Sequence, residues 1–177
     1  MSKHTLHRIA GQKSGISHEE SERAVNLVPS VYERIGQEAG FRQLSKLFYD
    51  RVFADDDAQW FLGIFSSSTK EEAIDNQYRF FVQTFGGPDL YRQKKGKYTR
   101  LVGRHANYNI GTNAAHRWIQ HMELAIDEHD QLKDDSEARD ALKKYFGFTA
   151  HYIVASMEYM RSDQLSGGTS IDSGRVW

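Results

Sequence analysis

The sequence contains no cysteine. This absence excludes disulfides, thiolate zinc sites, iron–sulfur clusters and cysteine nucleophiles together. Proline is almost as scarce, because Pro29 and Pro88 are the only two in 177 residues, so long helices can run without interruption. Any metal that this chain binds must therefore be held by histidine, by carboxylate or by a cofactor.

Neither sign of charge is in excess, since 23 basic and 24 acidic residues give a formal net charge of −1. Without a broad basic surface, neither nucleic acid nor an anionic membrane is expected as a partner. No run reaches the roughly 20 apolar residues of a membrane helix, and residues 1–7 lack the apolar core of a secretion signal. We expect a soluble, cytoplasmic protein, with organelle targeting left open.

The motifs of common enzyme classes are missing as well. There is no G-x-S-x-G, no P-loop, no Rossmann glycine fingerprint and no H-E-x-x-H. Several residues that could bind a metal lie between positions 116 and 129, namely His116, His121, Glu123, Glu128 and His129. Their spacing does not repeat the Glu-x-x-His pattern of a di-iron bundle. We interpret that stretch as a solvated charged face.

What the sequence does have is helical periodicity between two segments of low periodicity. We predict a flexible N-terminal extension over residues 1–28, one all-α domain over 29–161 and a flexible C-terminal tail over 162–177. The first strong helix is predicted over 37–53, where one apolar stripe is formed by Phe41, Leu44, Phe48 and Val52.

Three further main helices complete the predicted domain. Thr69 and Glu72 form a capping-box pattern that begins a helix to about residue 85, and Gly86-Gly87-Pro88 ends it. Thr112 or Asn113 is expected to cap a helix to about residue 129, and Asp135 or Ser136 one to about residue 160. Residues 89–111 are predicted to form a long loop with one short helix at 101–105, and long connections of this kind are usually functional.

Two residues in this pattern can carry chemistry. A single histidine can hold iron if a haem supplies the other ligands, and His105 in the short helix is a candidate, although a loop histidine is more often a surface residue. Gln77 lies among apolar neighbours at helical spacing, and a buried amide needs partners. Those partners are either protein groups or a molecule bound in a cavity that Tyr49 and Trp118 also face.

The order of several motifs resembles that of the group II truncated haemoglobins, and Gln77 and the extra N-terminal segment 17–29 look closer to the plant and algal members than to the bacterial ones. The resemblance spans about residues 31–160 and rests on these features: Phe48-Tyr49, Phe65, Gly86-Gly87-Pro88, Tyr91, Leu101 with Arg104-His105, and Arg117-Trp118 with His121-Met122. It implies a truncated globin, a two-over-two helical sandwich around haem b.

The resemblance also implies roles for individual residues. His105 is the expected proximal iron ligand, and Arg104 is a candidate partner for a haem propionate. The distal side is expected to hold Tyr49, Gln77 and Trp118, with Ala73 where many ordinary globins have a distal histidine. Further contacts with the cofactor are expected from Phe65, Phe81, Tyr91 and Tyr108, and from Trp118 as well.

This chain departs from the family pattern around the proximal segment. Gly96-Lys97-Tyr98 stands where members commonly have Gly-His-Pro, and the chain is one residue longer before His105. Asn107 and Tyr108 replace a common proline and phenylalanine. The departures concern loop geometry and haem exposure, and they remove neither a ligand nor a distal donor.

The expected function is reversible binding of O₂, and of NO and CO, at a pentacoordinate-type iron, with slow O₂ release that serves storage, sensing or redox chemistry. Two alternatives stay open: a nitric oxide dioxygenase or peroxidase-like enzyme that works with a reductase, and, from a different class, a haemless helical protein-interaction module. The chain is expected to be a monomer or a weak homodimer.

Overall fold

The computed structural model describes residues 2–65, 67–96, 101–105, 108 and 110–165, and of residues 104, 164 and 165 it describes the backbone alone. Within those ranges all regular structure is helical, which confirms the all-α prediction. The α-helices, in chain order, are α1 Lys3–Ser14, α2 His18–Val25, α3 Val31–Arg34, α4 Gln37–Phe53, α5 Gln59–Leu62, α6 Lys70–Thr84, α7 Leu90–Lys95, α8 Leu101–His105, α9 Thr112–Glu128 and α10 Ser136–Leu165.

Four of these helices form two packed pairs, as the two-over-two sandwich predicts. α4 packs on α6, α9 packs on α10, and α4 also contacts α9 so that the pairs share one core. The predicted stripe of α4 lies in that core, with Phe41, Leu44, Phe48 and Val52 all 0% exposed. No helix in the described ranges is long and apolar enough to cross a membrane.

Both ends of α6 follow from local sequence chemistry. The Thr69 side chain accepts a hydrogen bond from the Glu72 backbone N–H at 3.2 Å, and the Glu72 carboxylate accepts one from the Thr69 N–H at 3.0 Å. This confirms the predicted capping box. At the other end, Gly86 has a φ of 95°, and a Cβ on Gly87 would lie 2.6 Å from a Val82 methyl group. The glycine pair is therefore required both for the turn and for close packing.

The N-terminal segment differs from the flexible extension expected over residues 1–28. α1 is capped by the side chain of Ser2 and α2 by a capping box at Ser17, and both helices pack along α10. The sequence did not predict these two helices, because only a few apolar residues anchor each of them and the apolar periodicity is therefore weak. In α1 these anchors are Leu6 and Ala10, which are 4% and 0% exposed.

Three other segments also differ from the expectation. The long connection contains a second helix, α7, in addition to the predicted α8. α9 follows Gly111 with no side-chain cap, so neither Thr112 nor Asn113 plays the predicted capping role. α10 continues to Leu165, and residues 166–177 of the predicted tail lie outside the described residues.

The start of α10 agrees with the prediction, whereas the interpretation of residues 116–129 as a solvated face is partly wrong. The Asp135 carboxylate accepts a hydrogen bond from the Ala138 N–H at 3.0 Å and so caps α10. His121 and His129, however, are 8% and 0% exposed. Their burial is tolerated because each has a polar partner inside the protein. The partner of His121 is Asp55.

His129 is a neutral histidine in the core. Its Nε2 lies 2.9 Å from the carbonyl oxygen of Gly40, and since a carbonyl oxygen only accepts hydrogen bonds, Nε2 carries the proton. Burial lowers the pKa of His129 below the ordinary histidine value. Burial also lowers the pKa of His151, and it lowers that of His7 to about 4.

We therefore expect the free energy of unfolding to fall as the pH drops below about 6.5, because the unfolded chain then binds protons that these folded histidines do not. Urea unfolding between about pH 8 and about pH 5 measures this dependence. His129→Gln keeps an N–H donor for Gly40 but does not titrate, so its stability should depend less steeply on pH. Parallel pH dependence in the two proteins would contradict the account.

Candidate functional site

A cavity of about 450 Å³ is lined by residues from every helix between α4 and α10, a size typical of a site for a small molecule or cofactor. Nine of the predicted site residues line it, although they come from widely separated parts of the sequence: Tyr49, Phe65, Ala73, Gln77, Phe81, Tyr91, His105, Tyr108 and Trp118. The predicted contact of Arg104 involves a side chain outside the described part of the chain, so it stays a prediction.

His105 is the last residue of α8 and lines the cavity. Its Nδ1 lies 2.7 Å from the carbonyl oxygen of Leu101. Since that oxygen can only accept, Nδ1 carries the proton and the lone pair of the neutral ring is on Nε2. A metal-binding histidine is typically oriented in this way, with one ring nitrogen donating to a backbone carbonyl while the other binds the metal.

Tyr49 brings a hydroxyl group to the cavity from α4, where the side chain is only 6% exposed. Burial raises the pKa of Tyr49 well above its ordinary value. The phenol therefore stays protonated at all physiological pH values and is available as a hydrogen-bond donor.

Gln77 brings an amide to the cavity from α6. Its Oε1 atom is buried and has no hydrogen-bond partner among the described residues. A buried amide atom without a partner costs free energy unless a bound molecule satisfies it. Because Oε1 only accepts hydrogen bonds, a donor held in the cavity, such as a bound water, would satisfy it, and the amide N–H of Gln77 is the group that can donate to a bound gas.

Trp118 lies on α9 and is held in place by aromatic contacts on both sides. Its ring centroid lies 5.2 Å from that of Phe48 and 5.4 Å from that of Phe146. The rings are tilted or edge-on, as aromatic pairs prefer. The indole is thus fixed in the wall of the cavity, where its N–H is a donor without acceptor capacity.

The remaining wall is mostly aromatic. Phe65 packs edge-on against Tyr49 at 5.6 Å and against Phe61 at 5.2 Å. Phe81 lies 4.8 Å from Phe146. Such walls suit a flat, apolar ligand.

Two polar features of the cavity mouth escaped the sequence analysis. The Tyr108 hydroxyl lies 2.9 Å from the Ser67 hydroxyl, which joins two segments that are far apart in sequence. Lys95, on α7, is exposed and lines the cavity, so it can pair with an anionic group at the edge of a bound cofactor. The run of basic residues in α7 was visible in the sequence, but nothing there showed that it reaches the cavity.

The residues present fit a haem. In the described ranges there is no group of three or more His, Asp or Glu side chains that could hold a bare metal ion, so iron at His105 needs a cofactor to supply its other ligands. The cavity offers that arrangement an oriented imidazole, aromatic walls, a protonated phenol and the N–H donors of Gln77 and Trp118.

An ion-pair cluster anchors α9 on either side of Trp118. The carboxylate of Asp55, which is 5% exposed, lies 2.7 Å from Nε of Arg117 and 2.7 Å from Nε2 of His121. The hydrogen bond from Arg117 is the main reason why the pKa of Asp55 is lowered to about 2. Sequence analysis missed this cluster because Asp55 and Arg117 are 62 residues apart.

We expect Asp55→Asn to lower the free energy of unfolding by about 2 kcal/mol at neutral pH, because it leaves two cationic or polar partners without their carboxylate. The stabilisation by Asp55 is present above the ordinary aspartate pKa and is lost as the pH falls through about 2. Urea unfolding of Asp55→Asn beside Asp56→Asn, at an exposed neighbouring position, measures the difference. Equal stability of the two variants would contradict the role given to Asp55.

Comparison with known proteins identifies the family. The family model of bacterial-like globins matches residues 30–154. The chain is 42% identical to two-on-two hemoglobin-3 of Arabidopsis thaliana, over 76% of this chain and 74% of that protein. It is also 42% identical to group 2 truncated hemoglobin 3-1 of Lotus japonicus, over 73% of this chain and 74% of that one.

A solved structure agrees with this result. The truncated oxygen-avid haemoglobin of Bacillus subtilis superposes with a TM-score of 0.60 at 32% identity, covering 71% of this chain and 98% of that one. The match therefore covers nearly the whole of that haemoglobin and 71% of this chain. On this evidence the chain belongs to the bacterial-like globins, and within them to the group II truncated haemoglobins.

Proposed function

We propose that this protein binds haem b through His105 and reversibly binds O₂, and other diatomic gases such as NO and CO, in the cavity that faces Tyr49, Gln77 and Trp118. The observation that supports the proposal most strongly is the donor set. Three hydrogen-bonding side chains from α4, α6 and α9 line the same cavity as an imidazole with its lone pair on Nε2.

Haem, when bound, supplies the iron that takes up the gas. The protein supplies the imidazole of His105, whose orientation is fixed by the bond from Nδ1 to Leu101. Apolar walls exclude water from the bound gas, and hydrogen bonds are stronger in such surroundings than in water. Arg104 and Lys95 are the proposed partners of the anionic edge of the cofactor.

The distal donors are proposed to slow O₂ release. Tyr49 remains protonated because burial raises its pKa, so it donates rather than repels. Each net hydrogen bond contributes about 0.5 to 1.5 kcal/mol, and these contributions are lost when the gas leaves. The oxygen-avid relative of Bacillus subtilis makes slow release a reasonable expectation for this chain.

Stopped-flow displacement of O₂ by excess CO from the ferrous, haem-loaded protein tests this function. We expect slow release from the wild type. In Gln77→Leu, which keeps the size of the side chain but removes its amide, release should be about two- to tenfold faster. A protein that takes up haem but releases O₂ rapidly, with no effect of Gln77→Leu, would contradict the proposed role of the distal donors.

A further inference from the structure

A second, smaller apolar cluster lies apart from the main core. It joins three helices: Leu6 and Ala10 of α1, Val102 of α8, and Phe148, Tyr152, Ala155 and Met157 of α10. We call it the proximal cluster. It connects the N-terminal helix to the helix that carries His105.

α8 depends on this cluster for its position. A helix of five residues cannot form by itself in water, because nucleation is unfavourable. Among the side chains of α8 that the structure describes, Val102 is the buried one, at 8% exposed. Val102 is three residues before His105, and residues at that spacing are neighbours on a helix. Packing that fixes the position of Val102 therefore also fixes the position of the His105 imidazole.

α1 is an addition to the shared globin fold. The family match begins at residue 30, whereas α1 covers Lys3–Ser14. Ion pairing contributes little to its attachment, since the pair between Lys13 and Glu158, 2.9 Å apart, is solvent-exposed. The attachment depends mainly on packing, through the burial of Leu6 and Ala10 and the contact of the His7 ring with Phe148 and Tyr152 of α10.

We propose that Leu6 and Ala10 are positioning residues for His105: α1 and α8 both pack on α10 within the proximal cluster, and the packing of α1 steadies the surface of α10 on which Val102 rests. The N-terminal extension thus acts as a brace on the proximal side of the site and slows haem loss. The part of this inference that concerns haem rests on the proposed function, in which His105 holds the cofactor. The packing of α1 and α8 on α10 within the same cluster does not depend on that function.

The full-length, haem-loaded protein tests the brace with a matched pair of variants. Ala10→Asp places a carboxylate at a position that is 0% exposed and should detach α1, because burying an unpaired charge is costly. Gln12→Asp introduces the same residue at an exposed position of the same helix.

Three measurements are compared across these variants. In Ala10→Asp we expect amide hydrogen exchange in α8 and transfer of haem to an acceptor protein to be faster by about tenfold. The iron–histidine stretching band of the ferrous protein should also shift, which a purely structural loss elsewhere would not cause. Gln12→Asp should change none of these.

The outcomes separate the brace from the proposed function. Unchanged exchange in α8 after α1 has detached, or after deletion of residues 2–15, would overturn the brace. Faster exchange with unchanged haem transfer would overturn its link to haem retention. If the wild type itself shows no iron–histidine band, the proposed function fails, while exchange in α8 still decides whether α1 holds that helix.

Discussion

Replacing both Tyr49 and Trp118 by phenylalanine should speed O₂ release from the haem-loaded protein by about 5- to 150-fold. Two net hydrogen bonds of about 0.5 to 1.5 kcal/mol each account for this range, since about 1.4 kcal/mol corresponds to a factor of ten. Phenylalanine keeps an aromatic ring in contact with Phe48 and Phe146, which pack against Trp118, so loss of the donors is the main change.

Stopped-flow displacement of O₂ by CO measures the rate in the double variant and in each single one. Trp60→Phe is the control, because Trp60 is 54% exposed and does not line the cavity. If neither donor takes part in holding the gas, the wild type, the double variant, both single variants and the Trp60→Phe control will all release O₂ at the same rate. That result would leave the binding of haem intact and remove the explanation for slow release.

The second large effect is expected at the proximal residue. His105→Ala should weaken haem retention by more than about a hundredfold, because loss of a ligand costs more than loss of the groups that orient it. Added imidazole should restore part of the binding, since the deleted side chain leaves room for it. His116→Ala removes an exposed histidine and should retain haem as the wild type does; similar haem loss from both variants would reject His105 as the ligand.

The fold could be predicted where local sequence chemistry is strong. The bounds of α4 agree with its apolar stripe, and both ends of α6 agree with the Thr69 capping box and the glycine pair. These signals depend on residues within one or two helical turns of each other. α1 and α7 were missed because their stability comes mainly from helices elsewhere in the chain.

More of the site could be predicted with the family resemblance than from residue spacing alone. Helical spacing marked Gln77 as an unusual polar residue, with Tyr49 and Trp118 as the other candidate donors. The family resemblance gave His105 its role as the iron ligand. The structure brings these residues to one cavity. Asp55 could not be found in this way, because its pairing with Arg117 spans 62 residues and leaves no periodic pattern.

Lys95 was missed for a related reason. A basic residue in a basic run is usually solvated, and only the packing of α7 on α6 brings this one to the cavity mouth. Long-range geometry of this kind is decided by packing and not by local preference.

Iron ligation by His105 is tested by the visible absorption spectra of the purified wild type and of His105→Ala, each supplied with haem. The account predicts a strong Soret band in the wild type that is lost or grossly altered in His105→Ala, since the imidazole oriented by Leu101 then no longer binds the iron. A wild-type protein that stays colourless with haem, or a variant with an unchanged spectrum, would contradict it.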